Sequence, residues 1–142
     1  MTIAIGSDHG GLELKEAIKG YLNSRTIDCL DLGAHTSDSV DYPDFADKVA
    51  HAILNGQAHS GILCCGTGIG ISIRANRHKG IRAALVYNDV TAEMSKAHNN
   101  ANIICLGGRT LSPELALTLI GIWLDTPFGG GRHQARLDKL DL

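Results

Sequence analysis

Five short apolar runs, Thr2 to Gly6, Ile27 to Leu32, Gly61 to Cys65, Ile81 to Tyr87 and Asn102 to Leu106, alternate with segments whose apolar residues recur at helical spacing. Runs this short read as strands. Strands separated by helices pair in parallel, because a parallel crossover needs a helix's length of chain. Leu14, Ala17, Ile18, Tyr21 and Leu22 mark the first helix. The second opens at Pro43, turns Ala46, Val49, Ala50, Ile53 and Leu54 inward, and stops at Asn55-Gly56. Residues 68 to 78 are read as the third. Asn88 caps a fourth over 90 to 98, and Ser112-Pro113 caps a fifth with Leu115, Leu119, Ile120, Trp123 and Leu124 inward. Glycines 129 to 131 then break the pattern before a short basic helix, Arg132 to Leu140.

The pattern predicts one α/β domain over residues 1–142, a three-layer αβα fold around a doubly wound five-stranded parallel sheet of order 2-1-3-4-5, with a C-terminal helical tail. At 142 residues and 44% hydrophobic content, the chain can bury one core and is too short for two. The winding reverses between strands 1 and 3. The loops leaving them, Asp8-His-Gly-Gly11 and Cys65-Gly-Thr-Gly-Ile-Gly70, are predicted to meet at the crevice where open α/β sheets bind ligands.

A formal net charge of −2 gives no overall positive field for nucleic acid or acidic lipid, so neither is expected as a partner and any anion is met locally. Met1-Thr-Ile-Ala-Ile-Gly6 lacks the basic start of a signal peptide, and no apolar run reaches membrane length. A cytoplasmic location and no membrane partner are the expectation. Cys29, Cys64 and Cys105 lie in strand-like runs and are expected to be buried, reduced thiols.

Gly66-x-Gly68-x-Gly70 matches neither the dinucleotide pattern nor the P-loop. Tight turning and close packing account for one or two of these glycines, and the loop's amides form a nest beside Cys65 that suits an oxyanion. Cys65 alone reads equally as a small buried hydrophobe or as a reactive thiol. A phosphatase thiol would want an arginine where Ile71 stands, and a protease thiol a histidine base and acyl site that the short loops do not show. Proton transfer is the functional role left. His98 reads as a helix C-terminal histidine, and Asp8-His9 as a cap with its neighbour or as part of the crevice. The remaining histidines (His35, His51, His59, His78, His133) lack ligand spacing, so no metal or other cofactor is expected. Arg132 and Arg136 share one helix face. A basic tail is ordinarily just solvated, yet the glycines before it would let it leave the domain and lie over something else. Arg109, after Gly107-Gly108, is a third candidate phosphate ligand.

Taken together, Gly6-Ser-Asp-His-Gly-Gly11, Asp41-Tyr-Pro43, Cys65-Gly-Thr-Gly-Ile-Gly-Ile-Ser72, Ala75-Asn76, Gly80-Ile-Arg-Ala83, His98-Asn99, Gly107-Gly-Arg109 and Gly130-Gly-Arg-His-Gln134 resemble the ribose-5-phosphate isomerase B family along essentially the whole chain. The resemblance implies a metal-independent aldose–ketose isomerase of the pentose phosphate pathway, acting on ribose 5-phosphate and ribulose 5-phosphate through an enediolate. The same family includes isomerases of galactose 6-phosphate, allose 6-phosphate and tetrose 4-phosphates. Cys65 matches the family's base, and the backbone of Gly66, Thr67, Gly68, Ile69 and Gly70 the oxyanion cradle. His98 matches the acid/base that opens the furanose ring, with Thr67 and Asp8 nearby. His9, Arg109, Arg132 and Arg136 match phosphate ligands, and Tyr42 and Asn99 line the sugar. Members that replace the cysteine use a glutamate a few residues on, whereas Ile69 and Ser72 here are not acids. The resemblance further implies a homodimer or dimer of dimers with shared sites, residues 128–142 packing on the partner. A non-catalytic nucleotide-binding module of similar winding is the competing reading.

Overall fold

The computed structural model describes residues 1–141. Parallel strands β1 (Thr2–Ser7), β2 (Asp28–Asp31), β3 (Ser60–Cys65), β4 (Ala83–Leu85) and β5 (Ile103–Gly107) are each followed by a helix. These are α1 (Leu12–Ser24), α2 (Tyr42–Leu54), α3 (Ile69–Ala75), α4 (Asp89–Ala97) and α5 (Pro113–Asp125), with α6 (Arg132–Leu140) last. Helices cover both faces of the sheet, as the alternation requires. Asn88 and Ser112 cap α4 and α5 through side-chain oxygens that accept the Thr91 and Leu115 amides at 2.9 and 3.2 Å.

The strand order is β2-β1-β3-β5-β4, which corrects the expected 2-1-3-4-5 at its last two positions. The apolar runs explain the exchange. Every residue of β3 and β5 is buried, as a central parallel strand demands, whereas the three residues of β4 are only half-buried and follow Arg82. Right-handed crossovers then assign the faces. The steps β1 to β2 and β4 to β5 run one way and put α1 and α4 beside α5; the steps β2 to β3 and β3 to β4 run the other way and put α2 beside α3. Ile3, Ile5, Ile62, Ile104 and Leu106 meet Ile18, Leu22, Leu119 and Trp123 on the first face. Ala4, Leu63, Ile103 and Cys105 meet Ala46, Val49, Ala50 and Ile71 on the second.

The period-two alternation of β3 turns Cys64 to the first face and Cys65 to the second. Burial pushes the Cys64 and Cys105 thiols well up from their ordinary range, and burial with the Asp31 charge raises half-buried Cys29. Leu54 and Leu115, expected inward, are 49% and 38% exposed because they stand at helix ends beyond the sheet.

The tail does not leave the domain. The Gly129 amide donates to the Ala97 carbonyl at 2.9 Å, Leu137 is buried, and Asp141 pairs with Arg82 at 2.9 Å. Arg132 and Arg136 face outward. Leu142, the last residue of the expected tail, lies outside the described residues. At the free side of β4, the Asn76 side chain does what another strand would do: its amide donates to the Ala83 carbonyl and its oxygen accepts the Ala83 N–H, both at 2.8 Å.

One buried charge ties α1 to the end of β2. Lys15, fully buried, donates to both Asp31 oxygens at 2.7 and 2.8 Å, and Lys19 approaches Asp31 at 2.7 Å. Against the burial that would raise it, these ammoniums and the Gly33 N–H hold the Asp31 carboxyl down at about 2, from an ordinary 3.8. A depressed folded-state pKa adds stability that is fully present above the ordinary value and lost as pH falls through the folded one. Asp31→Asn should therefore lose about 2 to 3 kcal/mol in urea unfolding at neutral pH. The gap from wild type should close as pH falls from near 4 towards 2. A gap independent of pH would show that the loss comes from packing and not from the ion pair.

Candidate active site

Parallel pairing sets Ser7 opposite Cys64 and Cys65 opposite Gly107, so the ends of β1, β3 and β5 lie nearly level on the sheet's C-terminal rim. The three following loops are stitched together by backbone. The Asp8 amide donates to the Cys64 carbonyl (3.3 Å), that of Gly108 to Cys65 (2.8 Å), and that of Arg109 to Gly66 (2.9 Å). Cys65 sits at this junction, 5% exposed, and its Sγ accepts the Gly68 N–H at 3.1 Å.

Gly68 can aim that N–H because its φ is +81°, in the left-handed region. A methyl there would also lie 2.7 Å from the Leu85 side chain and 3.0 Å from the Leu106 carbonyl carbon. Ile69 then begins α3 directly after the amide that is aimed at the thiol. The Ile69 N–H is already held by Thr67 Oγ1 at 3.2 Å.

Tyr42, the first residue of α2, lies against the first turn of α3 so closely that a methyl on Gly70 would stand 2.5 Å from its ring. The Arg109 guanidinium spans the loops after β1 and β3, 3.3 Å from where a methyl on Gly10 would stand and 3.1 Å from one on Gly66. Asp8 Oδ1 accepts the Gly11 amide at 3.1 Å, so this carboxylate holds the turn after β1. His9 Nδ1 accepts the Val40 N–H at 3.2 Å, which places the neutral ring's proton on Nε2 as a donor. Asp8, His9, Tyr42, Gly66, Thr67, Gly68, Ile69, Gly70 and Arg109 are thus brought together around Cys65.

His98, Asn99, Arg132 and Arg136 are not. Helix α4 runs back from the C-terminal rim, so its last turn ends near the start of β5, where Arg82 donates to the Asn99 carbonyl at 3.1 Å. α6 lies on the same N-terminal rim through Asp141 and Arg82. The six residues of β3 separate the two rims by about 16 Å, more than one sugar phosphate can bridge. Within one chain, therefore, Thr67 and Asp8 stand at the opposite rim from His98.

The N-terminal rim has its own organisation. His98 stacks on His133 with ring centroids 4.2 Å apart. Burial, then the neighbouring His98, Arg132 and Arg136, lower the pKa of His133 and favour its neutral form. Ligand spacing gave His133 no role. Its signal was its place directly after Arg132 in Gly130-Gly-Arg-His-Gln134, which turns it roughly 100° round the helix from the arginine. Among the described residues, no three His, Cys, Asp or Glu side chains stand together as metal ligands, and no helix is long and apolar enough to cross a membrane.

Residues 3–140 match the family model described as Ribose/Galactose Isomerase. The fold superposes on a ribose-5-phosphate isomerase B from Clostridium thermocellum with a TM-score of 0.98 and 50% identity, covering 99% of this chain and 95% of that one. A ribose-5-phosphate isomerase B from Mycoplasma genitalium, solved with bound ribulose-5-phosphate, gives a TM-score of 0.94 at 42% identity, covering 99% and 93%. A D-erythrulose-4-phosphate isomerase from Pectobacterium atrosepticum is 42% identical over 99% of this chain and 93% of its own length.

Glycines with and without a constraint can be told apart. Gly68→Ala should destabilise the chain by about 1 to 3 kcal/mol and abolish most activity, because the methyl meets backbone and φ is unfavourable. Gly20→Ala, in α1 with nothing within 4 Å, should instead stabilise by about 0.5 to 1 kcal/mol. Denaturant unfolding checks both signs.

Proposed function

The chain belongs to the ribose/galactose isomerase family and is an aldose–ketose isomerase, and from that footing we propose that it interconverts ribose 5-phosphate and ribulose 5-phosphate without a metal. The observation that carries the reading is the thiol itself. Cys65 is nearly buried at the junction of three glycine-rich loops, faces an N–H donor at 3.1 Å, and has a guanidinium across the loop from it.

In this role Cys65, as thiolate, removes the proton from C2 of the open-chain aldose. The electron pair moves into a C1–C2 double bond, and the carbonyl oxygen becomes the oxyanion of an enediolate. Amides of residues 66 to 70 stabilise that charge. Return of the proton to C1 and transfer of the hydroxyl proton between oxygens complete the ketose, with no net oxidation. His9 and Arg109 hold the phosphate from this rim, and Tyr42 walls the sugar.

The missing groups come from a second copy. His98 opens the furanose ring, Asn99 lines the sugar, and Arg132 and Arg136 complete the phosphate site, all from the partner's N-terminal rim. The exposed apolar side chains support this arrangement. Ile69 and Ile73 on α3, Tyr87 and Val90 after β4, and Leu140 on α6 are each more than half exposed and border the free side of β4. A two-fold axis at that side, perpendicular to the strands, sets each C-terminal rim against the other copy's N-terminal rim and makes two equal sites.

The Pectobacterium relative's name favours a tetrose 4-phosphate as the second reading, and the family admits hexose 6-phosphates. Turnover measured on tetrose, pentose and hexose phosphates decides, with highest kcat/KM expected for ribose 5-phosphate. Cys65→Ala should abolish most turnover while leaving phosphate affinity nearly intact. Refolding that variant with Arg132→Ala/Arg136→Ala should restore about a quarter of wild-type activity, because half the dimers are mixed and one of their two sites is intact. No recovery after exchange would show that each chain's arginines serve its own Cys65.

A further inference from the structure

Gly80-Ile-Arg-Ala83 belongs to no part of the site described so far, yet its arginine joins the segments that carry His98 and the two arginines. Arg82 is mostly buried, with 21% of its side chain exposed. Its Nε donates to the carbonyls of Asn99 (3.1 Å) and Asn100 (3.3 Å), and Nη2 donates again to Asn100 (3.1 Å). Nη1 reaches Asp141 Oδ2, just after α6, at 2.9 Å. The arginine's own backbone is fixed to Asn102, which accepts its N–H at 2.8 Å and donates to its carbonyl at 3.1 Å.

Each contact answers a local need. The carbonyls of α4's last turn are taken by the amides of His98, Asn100, Ala101 and Gly129, but those of Asn99 and Asn100 lie beyond the helix, where the chain turns through Asn100 in a left-handed conformation, φ +43°. A planar, fixed guanidinium satisfies those carbonyls and a carboxylate at once, and its charge suits a helix C-terminus. α6 is thereby tethered at both ends: His133 stacks on His98 near its start, and Asp141 binds Arg82 after its last turn.

We infer that Arg82 is a positioning residue that locks the His98 turn and the Arg132/Arg136 helix into one preformed unit, which the other copy's Cys65 receives already assembled. This rests on the isomerase reading above, in which His98 opens the ring and the arginines bind phosphate. The two arms of the fork then carry separable functions. The arm on the Asn99 and Asn100 carbonyls orients His98, and the arm on Asp141 orients the arginines.

The test compares Arg82→Lys with Asp141→Asn in the full-length protein. It reads kcat and KM for ribose 5-phosphate, solvent proton exchange into ribulose 5-phosphate, and competitive inhibition by inorganic phosphate. A lysine can still reach Asp141 but cannot hold both carbonyls. Arg82→Lys should lower kcat on the cyclic sugar about tenfold, with proton exchange on the open-chain ketose and phosphate inhibition within about twofold of wild type. Asp141→Asn should raise KM and the phosphate inhibition constant about fivefold, with kcat within about twofold. If Arg82→Lys fails to fold, the split in Asp141→Asn still decides, since that residue lies outside the core, just after α6, with 36% of its side chain exposed. Parallel losses of kcat and phosphate affinity in either variant, or no change in both, would overturn the inference. A wild-type chain that isomerises none of the sugar phosphates would overturn the isomerase reading and the inference with it, whereas an active wild type with unchanged variants overturns the inference alone.

Discussion

The sulfur of Cys65 is where it is because the backbone on every side is spoken for. β3 is paired along both edges, its last carbonyls are taken by the amides of Asp8 and Gly108, and the next amide able to turn back, that of Gly68, is aimed at the thiol. Such a junction tolerates almost no side chains. Loops that exchange backbone hydrogen bonds at 2.8 to 3.3 Å leave room for hydrogen and little else at their turns, which is why the glycines cluster here. The thiol is thus positioned by the central strand of a parallel sheet, and the loops around it have little freedom of their own.

The C-terminal rim was legible in the sequence because its logic is local. A strand ending in a thiol, followed by alternating glycines and a helix, specifies a turn of one shape, and the winding rule brings the loop after β1 beside it. The N-terminal rim was legible only in part: the alternation already makes α4 run back from the rim of Cys65, but nothing in the periodicity of 90 to 98 shows that His98 stacks on His133 or that Arg82 holds the Asn99 and Asn100 carbonyls. The exchange of β4 and β5 has the same origin. Both read as apolar runs, and only competition for the slot beside β3 separates an uninterrupted Ile103-Ile-Cys-Leu106 from a half-exposed Ala83-Ala-Leu85. The tail's course along its own chain was hidden for a different reason. Three glycines permit the chain to leave, but permission is weaker than the burial of Leu137 and the bridge to Arg82, both of which depend on distant residues.

Dividing the functional groups between two rims separates two demands that are hard to meet in one place. A nearly buried thiol needs a dry, closely packed surround, whereas phosphate-binding arginines need exposed positions and mutual repulsion kept low by water. One chain's sheet offers the first at the ends of its strands and the second at their beginnings. In the proposed two-copy arrangement the two would meet only after each copy has folded under its own constraints.

The Asn76 amide at the free side of β4 has a consequence for how a strand of another chain could add here. An exposed strand edge next to apolar residues is a template for adding further strands, and parallel sheets extended in that way have no natural end. Here the outward N–H and C=O of Ala83 are already consumed by a side chain of the same molecule. At this point of the surface another copy would meet side chains such as Ile69, Ile73 and Leu140 in place of open ladder groups. The same asparagine that finishes this edge at Ala83 denies an added strand one pair of its ladder hydrogen bonds.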